Sequence, residues 1–470
     1  MKILLIEPPC SYGFDDFMIR KYFPLGLGYI ASALREAGHK VSLFLEKGGN
    51  EYEEKLKLRL RDFQPALVGI SAMTPYYPDA VWNAKIVRET LPNTTVVLGG
   101  HHASAIPEES LSAAKNVDYV VCGEGEITVV ELAAVLEGKE DGFEKIDGLI
   151  GREGTEIVRN RPRGLIKDID TIPFPARDLV DMKKFGVHSY IQFGKHPATM
   201  ISSRGCPYRC AFCSGQLTMG RGYRIHSPEY VLAEIRELVE KYGVDHLVFE
   251  DDTFTMKRER VLKIAEGIAA LQKKITWYCL SRVDTMDEEL ALTMKRAGCR
   301  MINFGIESGS EEILKKIHKK ISLEKALHAV AACRKANLRT QATFILGFPF
   351  ESRENMKKTL DFAQKLMPTI AIFFPLTPYP GTEAFEYLPS EKRPITVEDW
   401  KSYMVTSKKG NLCVVEGMTE KELQTILRLW HRKFYLRPTQ IFQMLKTIGS
   451  FGELKQILKA FIGFVYRQIV

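Results

Sequence analysis

Short apolar segments alternate with amphipathic stretches along most of this 470-residue chain, and this alternation constrains the fold more than any other feature. An apolar run followed by a helical pattern is typical of a β–α unit, and repeated units build a parallel sheet. The first series predicts helices at Gly28–Ala37 and Pro78–Thr90. It predicts strands at Lys2–Ile6, Val41–Leu45, Leu67–Ala72, Val96–Gly100 and Tyr119–Gly123. We therefore expect an α/β domain over residues 1–138 with a doubly wound, Rossmann-like sheet of the flavodoxin type.

A second series of strands and helices occupies residues 196–385. Its predicted strands are Ala198–Ser202, His246–Glu250, Thr276–Ser281, Met301–Gly305, Thr340–Leu346 and Ile370–Leu376. Six such units predict a partial (β/α)6 barrel, in which functional groups gather at the carboxyl ends of the strands. Residues 139–195 are irregular and rich in charge, Gly and Pro, which predicts an ordered linker. Residues 386–470 predict a helical C-terminal region.

Composition is that of a globular protein with ample core, at 45% hydrophobic and 26% charged residues. The nine cysteines are an odd number and are mostly scattered, which favours a reducing cytoplasm over a disulfide framework. We expect neither a signal peptide nor a membrane span. The net charge of +8 is a mild excess and gives no reason to expect a nucleic-acid partner.

Three closely spaced cysteines follow the first strand of the second series. Cys206, Cys210 and Cys213 form a C-x3-C-x2-C loop, with Phe212 just before the last. Thiolates are the usual ligands of iron–sulfur clusters, and three of them leave one iron of a [4Fe–4S] cubane open to a small molecule. The alternatives are three buried cysteines without a special role, or a zinc site. Zinc commonly takes paired C-x2-C ligands, and no second pair is present.

This loop resembles that of the radical S-adenosylmethionine (SAM) enzymes. The resemblance implies that SAM binds the open iron and is cleaved reductively to a 5′-deoxyadenosyl radical. It also implies an electron donor such as flavodoxin or ferredoxin. The resemblance further suggests SAM contacts, which we expect from Phe212 and from the strand ends at Glu250, Asp251, Asp252, Arg282, Glu307 and Ser308. Acids and serine also favour helix starts, so each of these residues alone could be a cap.

Residues 1–385 resemble the cobalamin-dependent subgroup of that family, which includes the anaerobic magnesium-protoporphyrin ester cyclase and many methylases. The N-terminal motifs that carry the likeness include Gly99-Gly-His-His-Ala-Ser104 and Asp118-Tyr-Val-Val-Cys-Gly-Glu-Gly-Glu126. The likeness implies that cobalamin lies on the strand ends, where ligands of doubly wound sheets bind. The expected contacts are Pro8, Pro9, Ser71, Thr74, Gly99, Gly100, His101, Ser104, Gly123 and Glu124.

The motif Asp-x-His-x-x-Gly, whose histidine binds cobalt in other cobalamin proteins, is absent from this sequence. His101 and His102 could still be ligands, but we favour hydrogen-bonding roles for both. The resemblance predicts methylation of an unactivated carbon of an apolar or bulky substrate. The alternatives are radical cyclisation or rearrangement of a tetrapyrrole or lipid, or a non-catalytic cobalamin or iron–sulfur sensor. No catalytic side chain is identified.

The C-terminal region mixes aromatic and basic residues, which could indicate peripheral membrane contact or helices packed over the barrel. Packing is the favoured interpretation. The aromatic residues are Trp430, Phe434, Tyr435, Phe442, Phe451, Phe461, Phe464 and Tyr466. The basic residues are Arg428, Arg432, Lys433, Arg437, Lys446, Lys455, Lys459 and Arg467.

Overall fold

A parallel sheet forms the N-terminal part of the protein. The computed structural model describes residues 1–9, 22–140, 142–404 and 414–446. In these residues the sheet has the strand order β2-β1-β3-β4-β5-β6-β7, and the first five strands are parallel. The strands are β1 (Lys2–Ile6), β2 (Lys40–Phe44), β3 (Leu67–Ser71), β4 (Thr95–Gly99), β5 (Tyr119–Val121), β6 (Leu149–Glu153) and β7 (Glu156–Arg159).

Helices cover both faces of this sheet. One face packs a core that includes Leu4, Val68 and Leu98, and the other packs Ile3, Leu5 and Val97. Successive residues of a strand point to opposite faces, so both faces of a doubly wound sheet are apolar. The helices are α1 (Leu25–Glu36), α2 (Tyr52–Phe63), α3 (Tyr77–Thr90), α4 (His101–Ala105), α5 (Pro107–Ala113) and α6 (Glu126–Leu136). The predicted doubly wound fold is confirmed.

The sheet continues past residue 138 into the segment predicted as a linker. β6 pairs antiparallel with β5, and β7 pairs antiparallel with β6. Sequence periodicity missed these strands because they are short and only half-buried. Domain boundaries at 138, 195 and 385 stay a proposal.

The second sheet is a partial barrel of parallel strands. Within the described residues its order is β15-β14-β13-β12-β11-β8. The strands in this half are β8 (Pro197–Met200), β9 (Ser203–Arg204), β10 (Arg224–Ile225), β11 (His246–Phe249), β12 (Thr276–Ser281), β13 (Cys299–Glu307), β14 (Arg339–Leu346) and β15 (Ile370–Pro375). All six predicted strands are present, so the partial (β/α)6 barrel is confirmed.

The barrel strands place one face on the surrounding helices and the other on an inner lumen. Phe249, Trp277 and Phe304 pack outward against the helices. Val248 and Tyr278 face inward. The helices are α7 (Gln216–Met219), α8 (Pro228–Tyr242), α9 (Arg258–Ala269), α10 (Glu288–Arg296), α11 (Glu311–Lys316), α12 (Leu323–Lys335), α13 (Arg353–Leu366) and α14 (Glu383–Glu386).

The segment that joins the two sheets closes the amino-terminal end of the barrel lumen. Val187 and Ile191 pack on Val248, Tyr278 and Met301 of the inner wall. The lumen is therefore open toward the carboxyl ends of the strands, the side on which the cysteine loop follows β8.

Two helices of the C-terminal region are described, α15 (Glu420–Tyr435) and α16 (Pro438–Lys446). Trp430 and Phe434 of α15 are buried in the barrel core beside Phe373. Helix α15 therefore packs on the barrel. No helix in the described residues is both long enough and apolar enough to cross a membrane. The aromatic and basic residues predicted at positions 451–467 lie outside the described residues.

Candidate active site

The cysteine loop lies at the mouth of the barrel between β9 and α7. Gly205, just before the first cysteine, has a φ of +81°, and an added Cβ would lie 2.9 Å from the Met219 carbonyl oxygen. Glycine is therefore required for the chain to turn back on itself. Cys210 is buried, whereas Cys206 and Cys213 are half-buried. Burial raises the pKa of the Cys213 thiol to about 11, so iron binding would have to displace its proton.

Contacts from three neighbouring barrel loops hold the cysteine loop in place. The Ala211 amide donates to the Ile317 carbonyl oxygen at 3.1 Å, and the Ala384 amide donates to the Ala211 carbonyl oxygen at 2.9 Å. The Arg282 guanidinium lies 3.4 Å from the ring centroid of Tyr208. A loop fixed in this way is preorganised for a ligand. Tyr208 could not be predicted from the sequence, because cation–π pairs have no fixed spacing along a chain.

A search of the described residues finds no group of three or more histidine, cysteine or acidic side chains that could hold one metal ion. The cysteines of a cubane ligate separate irons, so this finding does not bear on a cluster. A second group of three cysteines lies close together, although the sequence did not predict it. Cys279, Cys299 and Cys333 are fully buried on the outer side of the barrel, and Cys279 and Cys299 share a hydrogen bond.

Two of the predicted SAM contacts lie beside the cysteine loop. The Asp252 carboxylate lies 3.5 Å from the position that a Cβ added to Gly215 would occupy. Its negative charge contributes, after burial, to the raised pKa of the Cys213 thiol. Glu307 has a φ of +70°, and its Oε1 accepts from the Lys319 ammonium at 2.9 Å. Burial acts to lower the pKa of Lys319, but Glu307 and Cys210 outweigh it, so the pKa is raised. Lys319 was not predicted from the sequence.

Three other residues predicted to contact SAM serve the fold. Asp251 accepts from the Ser202 amide at 3.1 Å and from the hydroxyls of Ser202 and Ser203, which ties β11 to the start of the cysteine loop. The Ser308 hydroxyl accepts from the Ser310 amide at 3.1 Å. Arg282 is paired with Asp284 at 3.0 Å. Phe212 packs in a small cluster with Phe348.

Glu351 closes the turn that follows β14. One carboxylate oxygen accepts from the Gly347 amide at 2.7 Å, and the other is buried without a hydrogen-bond partner in the described residues. Burial raises the pKa of Glu351 from 4.5 to about 7, although the hydrogen bonds from Gly347 and Phe348 oppose the rise.

We expect Glu351→Gln to become more stable than the wild type as pH rises. Folded Glu351 keeps its proton up to about pH 7, whereas the unfolded chain loses it near 4.5, so the wild type loses stability through this window. Glutamine stays neutral, so at pH 8 the free energy of unfolding of the variant should exceed that of the wild type by up to about 3 kcal/mol. Urea unfolding at pH 5 and pH 8 measures this, with the exposed Glu354→Gln of α13 as control. If the free energy of unfolding depended on pH in the same way for the wild type and for Glu351→Gln, the raised pKa of Glu351 would be contradicted.

The carboxyl edge of the first sheet gathers most of the predicted cobalamin contacts. Gly100 has a φ of +95°, and an added Cβ would lie 2.8 Å from the Ala72 carbonyl oxygen. The Gly123 amide donates to the Ser104 hydroxyl at 3.0 Å. His101 is exposed at this edge, and Ser71, Gly99 and Gly100 are half-buried, whereas Pro8, Pro9 and Thr74 are buried. The edge thus offers uncovered backbone, which fits a large planar ligand.

His102 points away from this edge into an aromatic cluster. Its ring stacks on Tyr77 with centroids 4.2 Å apart and meets Trp400 edge-on at 4.6 Å. Burial lowers the pKa of His102 to about 3, so the ring is neutral. Both ring nitrogens are buried without a hydrogen-bond partner in the described residues, so the hydrogen-bonding role favoured for His102 is wrong.

Glu124 joins the two halves of the protein. Its carboxylate accepts from Arg204 at 2.8 Å, from Arg224 at 2.7 Å and from the Ile166 amide at 3.0 Å. Arg204 also pairs with Glu126 at 2.7 Å. A carboxylate has about four acceptor positions, and these partners occupy them. The carboxylate therefore anchors the cysteine loop to the first sheet, and the contact with cobalamin expected for Glu124 stays a prediction.

The edge of the first sheet and the cysteine loop face each other. An added Cβ on Gly123 would lie 3.8 Å from the Thr218 carbonyl oxygen of α7. An added Cβ on Gly381 would touch both Leu217 of α7 and Ala105 of α4. A ligand on the sheet edge and a ligand at the cysteine loop would therefore be neighbours.

Residues 200–363 match the Radical SAM superfamily, and residues 20–133 match the B12 binding domain. An uncharacterized methyltransferase of Pyrococcus horikoshii is 36% identical over 439 residues, which covers 93% of this chain and 93% of that protein. The anaerobic magnesium-protoporphyrin IX monomethyl ester cyclase of Cereibacter sphaeroides is 29% identical over 478 residues, covering 98% of this chain and 76% of the cyclase.

Solved structures share the fold. The radical S-adenosylmethionine methyltransferase TsrM from Kitasatospora setae, with cobalamin and a [4Fe–4S] cluster bound, superposes with a TM-score of 0.68 at 20% identity. The superposition covers 84% of this chain and 78% of that one.

Proposed function

This chain belongs to the radical SAM enzymes that carry an N-terminal B12-binding domain, and we propose that it transfers a methyl group from SAM to an unactivated carbon of a small-molecule substrate. When bound, a [4Fe–4S] cluster with one open iron supplies the electron for SAM cleavage, and cobalamin supplies the methyl group. The protein's part is to hold these groups beside the substrate and to keep water out.

Cys206, Cys210 and Cys213 would hold the cluster. Their sulfurs are soft donors in a loop fixed by neighbouring backbone, and they fit iron. Asp252 would accept a hydrogen bond from the SAM ammonium, since its carboxylate adjoins the loop and is not used by the fold. Glu307 would meet SAM while Lys319 fixes its position.

The edge formed by Gly99, Gly100, His101, Ser104 and Gly123 would hold cobalamin. Backbone without side chains lets a large ring approach closely, and Ser104 is already oriented by its bond from Gly123. We propose that no histidine binds cobalt from below. His102 is enclosed by Tyr77 and Trp400, which supports this proposal for one of the two candidates.

The observation that carries the proposal is the closeness of the two sites. Gly123 of the sheet edge approaches Thr218 of α7, which directly follows the cysteine loop. A substrate in the barrel lumen would then be within reach of both the SAM site and the cobalamin site. Placing reacting groups side by side in this way removes much of the entropic barrier.

The substrate and partners belong to the same proposal. Relatives are named for a magnesium-protoporphyrin ester and for hopanoid C-3 methylation, so a bulky substrate fits the family. An electron donor such as flavodoxin or ferredoxin would reduce the cluster, and the seven free thiols of the described residues suit a reducing cytoplasm. Peripheral membrane contact would use exposed apolar residues of α15, α16 and the turn between them, namely Leu429, Leu436, Ile441, Phe442 and Leu445.

The proposed methyl transfer consumes SAM in two reactions, radical formation and methyl donation. The products of these two reactions test the proposal. We expect the reduced, cluster-loaded protein to form both 5′-deoxyadenosine and S-adenosylhomocysteine from SAM. The second product should require cobalamin, because it marks removal of the methyl group. Chromatography of reactions with deuterated SAM methyl, with and without added cobalamin, measures both products.

Two other results would point to the alternatives. Formation of 5′-deoxyadenosine alone, whatever the cobalamin content, would contradict methyl transfer and favour cyclisation or rearrangement. Formation of neither product by protein that retains its cluster would favour a sensor.

A further inference from the structure

One layer of polar side chains faces the barrel lumen above its closed end. In the strand register Leu280 pairs with Asn303, and Asn303 pairs with Gln341. Glu250 follows the last paired residue of β11 and so stands next to Leu280. Each of these residues lies two positions beyond an inward-facing residue, such as Val248, Tyr278 or Met301. Alternation along a strand therefore directs all of them into the lumen.

The oxygen atoms of the two amides in this layer have no hydrogen-bond partner among the described residues. The Asn303 Oδ1 and Gln341 Oε1 atoms are buried without a hydrogen bond in the described residues, and Gln341 is only 4% exposed. Buried acceptors are almost always paired, and an unpaired one destabilises the fold. An apolar side chain at either position would serve the fold better, so these amides point to a ligand.

Glu250 adds a carboxylate to the same layer. Tyr22, Tyr190 and Tyr278 are near enough to it that the Glu250 charge contributes, after burial, to raising the pKa of each of these phenols. Burial, assisted by the charge of Asp251, raises the pKa of Glu250 from 4.5 to about 7.

One positive group of the inner wall lies below this layer, toward the closed end. Arg339 stands two residues before Gln341 on β14, and its guanidinium lies 5.2 Å from the ring centroid of Phe193 at the closed end. The layer thus presents hydrogen-bond acceptors to the lumen.

We propose that Glu250, Asn303 and Gln341 anchor a primary ammonium group of the substrate. An ammonium has three N–H donors, and this layer offers a carboxylate and two amide oxygens to receive them. Tyrosine rings around the carboxylate favour a cation over a neutral donor. The inference rests on the proposed function in placing the substrate in the lumen, and it assigns Glu250 to the substrate instead of SAM.

The test compares two probes that differ in one group, phenethylamine and 2-phenylethanol. Equilibrium dialysis of the full, cluster-loaded chain at pH 8 measures both affinities. We expect the amine to bind about tenfold more tightly than the alcohol, as a charged hydrogen bond in a buried site implies. In Glu250→Gln this preference should fall to about one. Glu266→Gln removes an exposed carboxylate from the outer helix α9 and should leave the preference unchanged.

A second variant keeps the proposal testable if Glu250→Gln fails to fold. Gln341→Met keeps the volume but removes the buried acceptor, so the preference should fall about threefold without a lower unfolding temperature. Equal affinity for the two probes, no binding of the amine, or a preference that survives both substitutions overturns the proposal. Dialysis needs no turnover, so failure of methyl transfer would leave this result intact.

Discussion

Replacing Cys206, Cys210 and Cys213 together by alanine is expected to remove protein-bound iron and to abolish 5′-deoxyadenosine formation. The three thiols are the only cysteines of the described residues at the barrel mouth, where the predicted SAM contacts Asp252 and Glu307 lie. Without thiolates the loop has no soft donors for iron. Iron and acid-labile sulfide analysis after anaerobic reconstitution, followed by product chromatography, measures the loss.

The matched control is the second group of cysteines. Cys279, Cys299 and Cys333 are equally numerous and close together, but they lie in the apolar layer between strands and helices. Their joint replacement by alanine should leave iron content unchanged. Loss of iron in this control with retention in the barrel-mouth variant would reverse the assignment.

Arg204→Met is expected to destabilise the protein by about 3–5 kcal/mol. The guanidinium is 2% exposed and bridges Glu124 and Glu126 at 2.8 and 2.7 Å. Its removal leaves Glu126 buried without this cation, and Glu124 keeps Arg224 and the Ile166 amide as partners. Since Arg204 precedes the cysteine loop by two residues, the variant should also lose iron more readily. Urea unfolding and iron retention during gel filtration measure the two effects.

A surface arginine of the same geometry provides the comparison. Arg258 also bridges two carboxylates, Asp287 and Glu289, both at 2.6 Å, but these groups are exposed. Solvent screens such pairs, so Arg258→Met should cost less than about 1 kcal/mol. Equal destabilisation by the two substitutions would show that the buried network does not hold the two halves together.

The sequence by itself determined most strands and helices of the two series and the cluster loop, but not the short strands β6 and β7. Strands such as Thr276–Ser281 and helices such as Arg353–Leu366 follow from local periodicity, because burial of one face imposes a repeat on the chain. The cysteine spacing is likewise local, since a loop must bring its ligands to one cluster. These features need no knowledge of distant residues.

Only the tertiary structure decided which polar side chains remain for ligands. Glu124 and Asp251 resemble ligand contacts in the sequence, but Arg204, 80 residues after Glu124, and Ser202, 49 residues before Asp251, occupy them. Asn303 and Gln341 look like ordinary strand residues, and their unpaired oxygens emerge only when the strands close around a lumen. Pairing between distant residues depends on how the elements pack, and that packing leaves no periodic trace in the sequence.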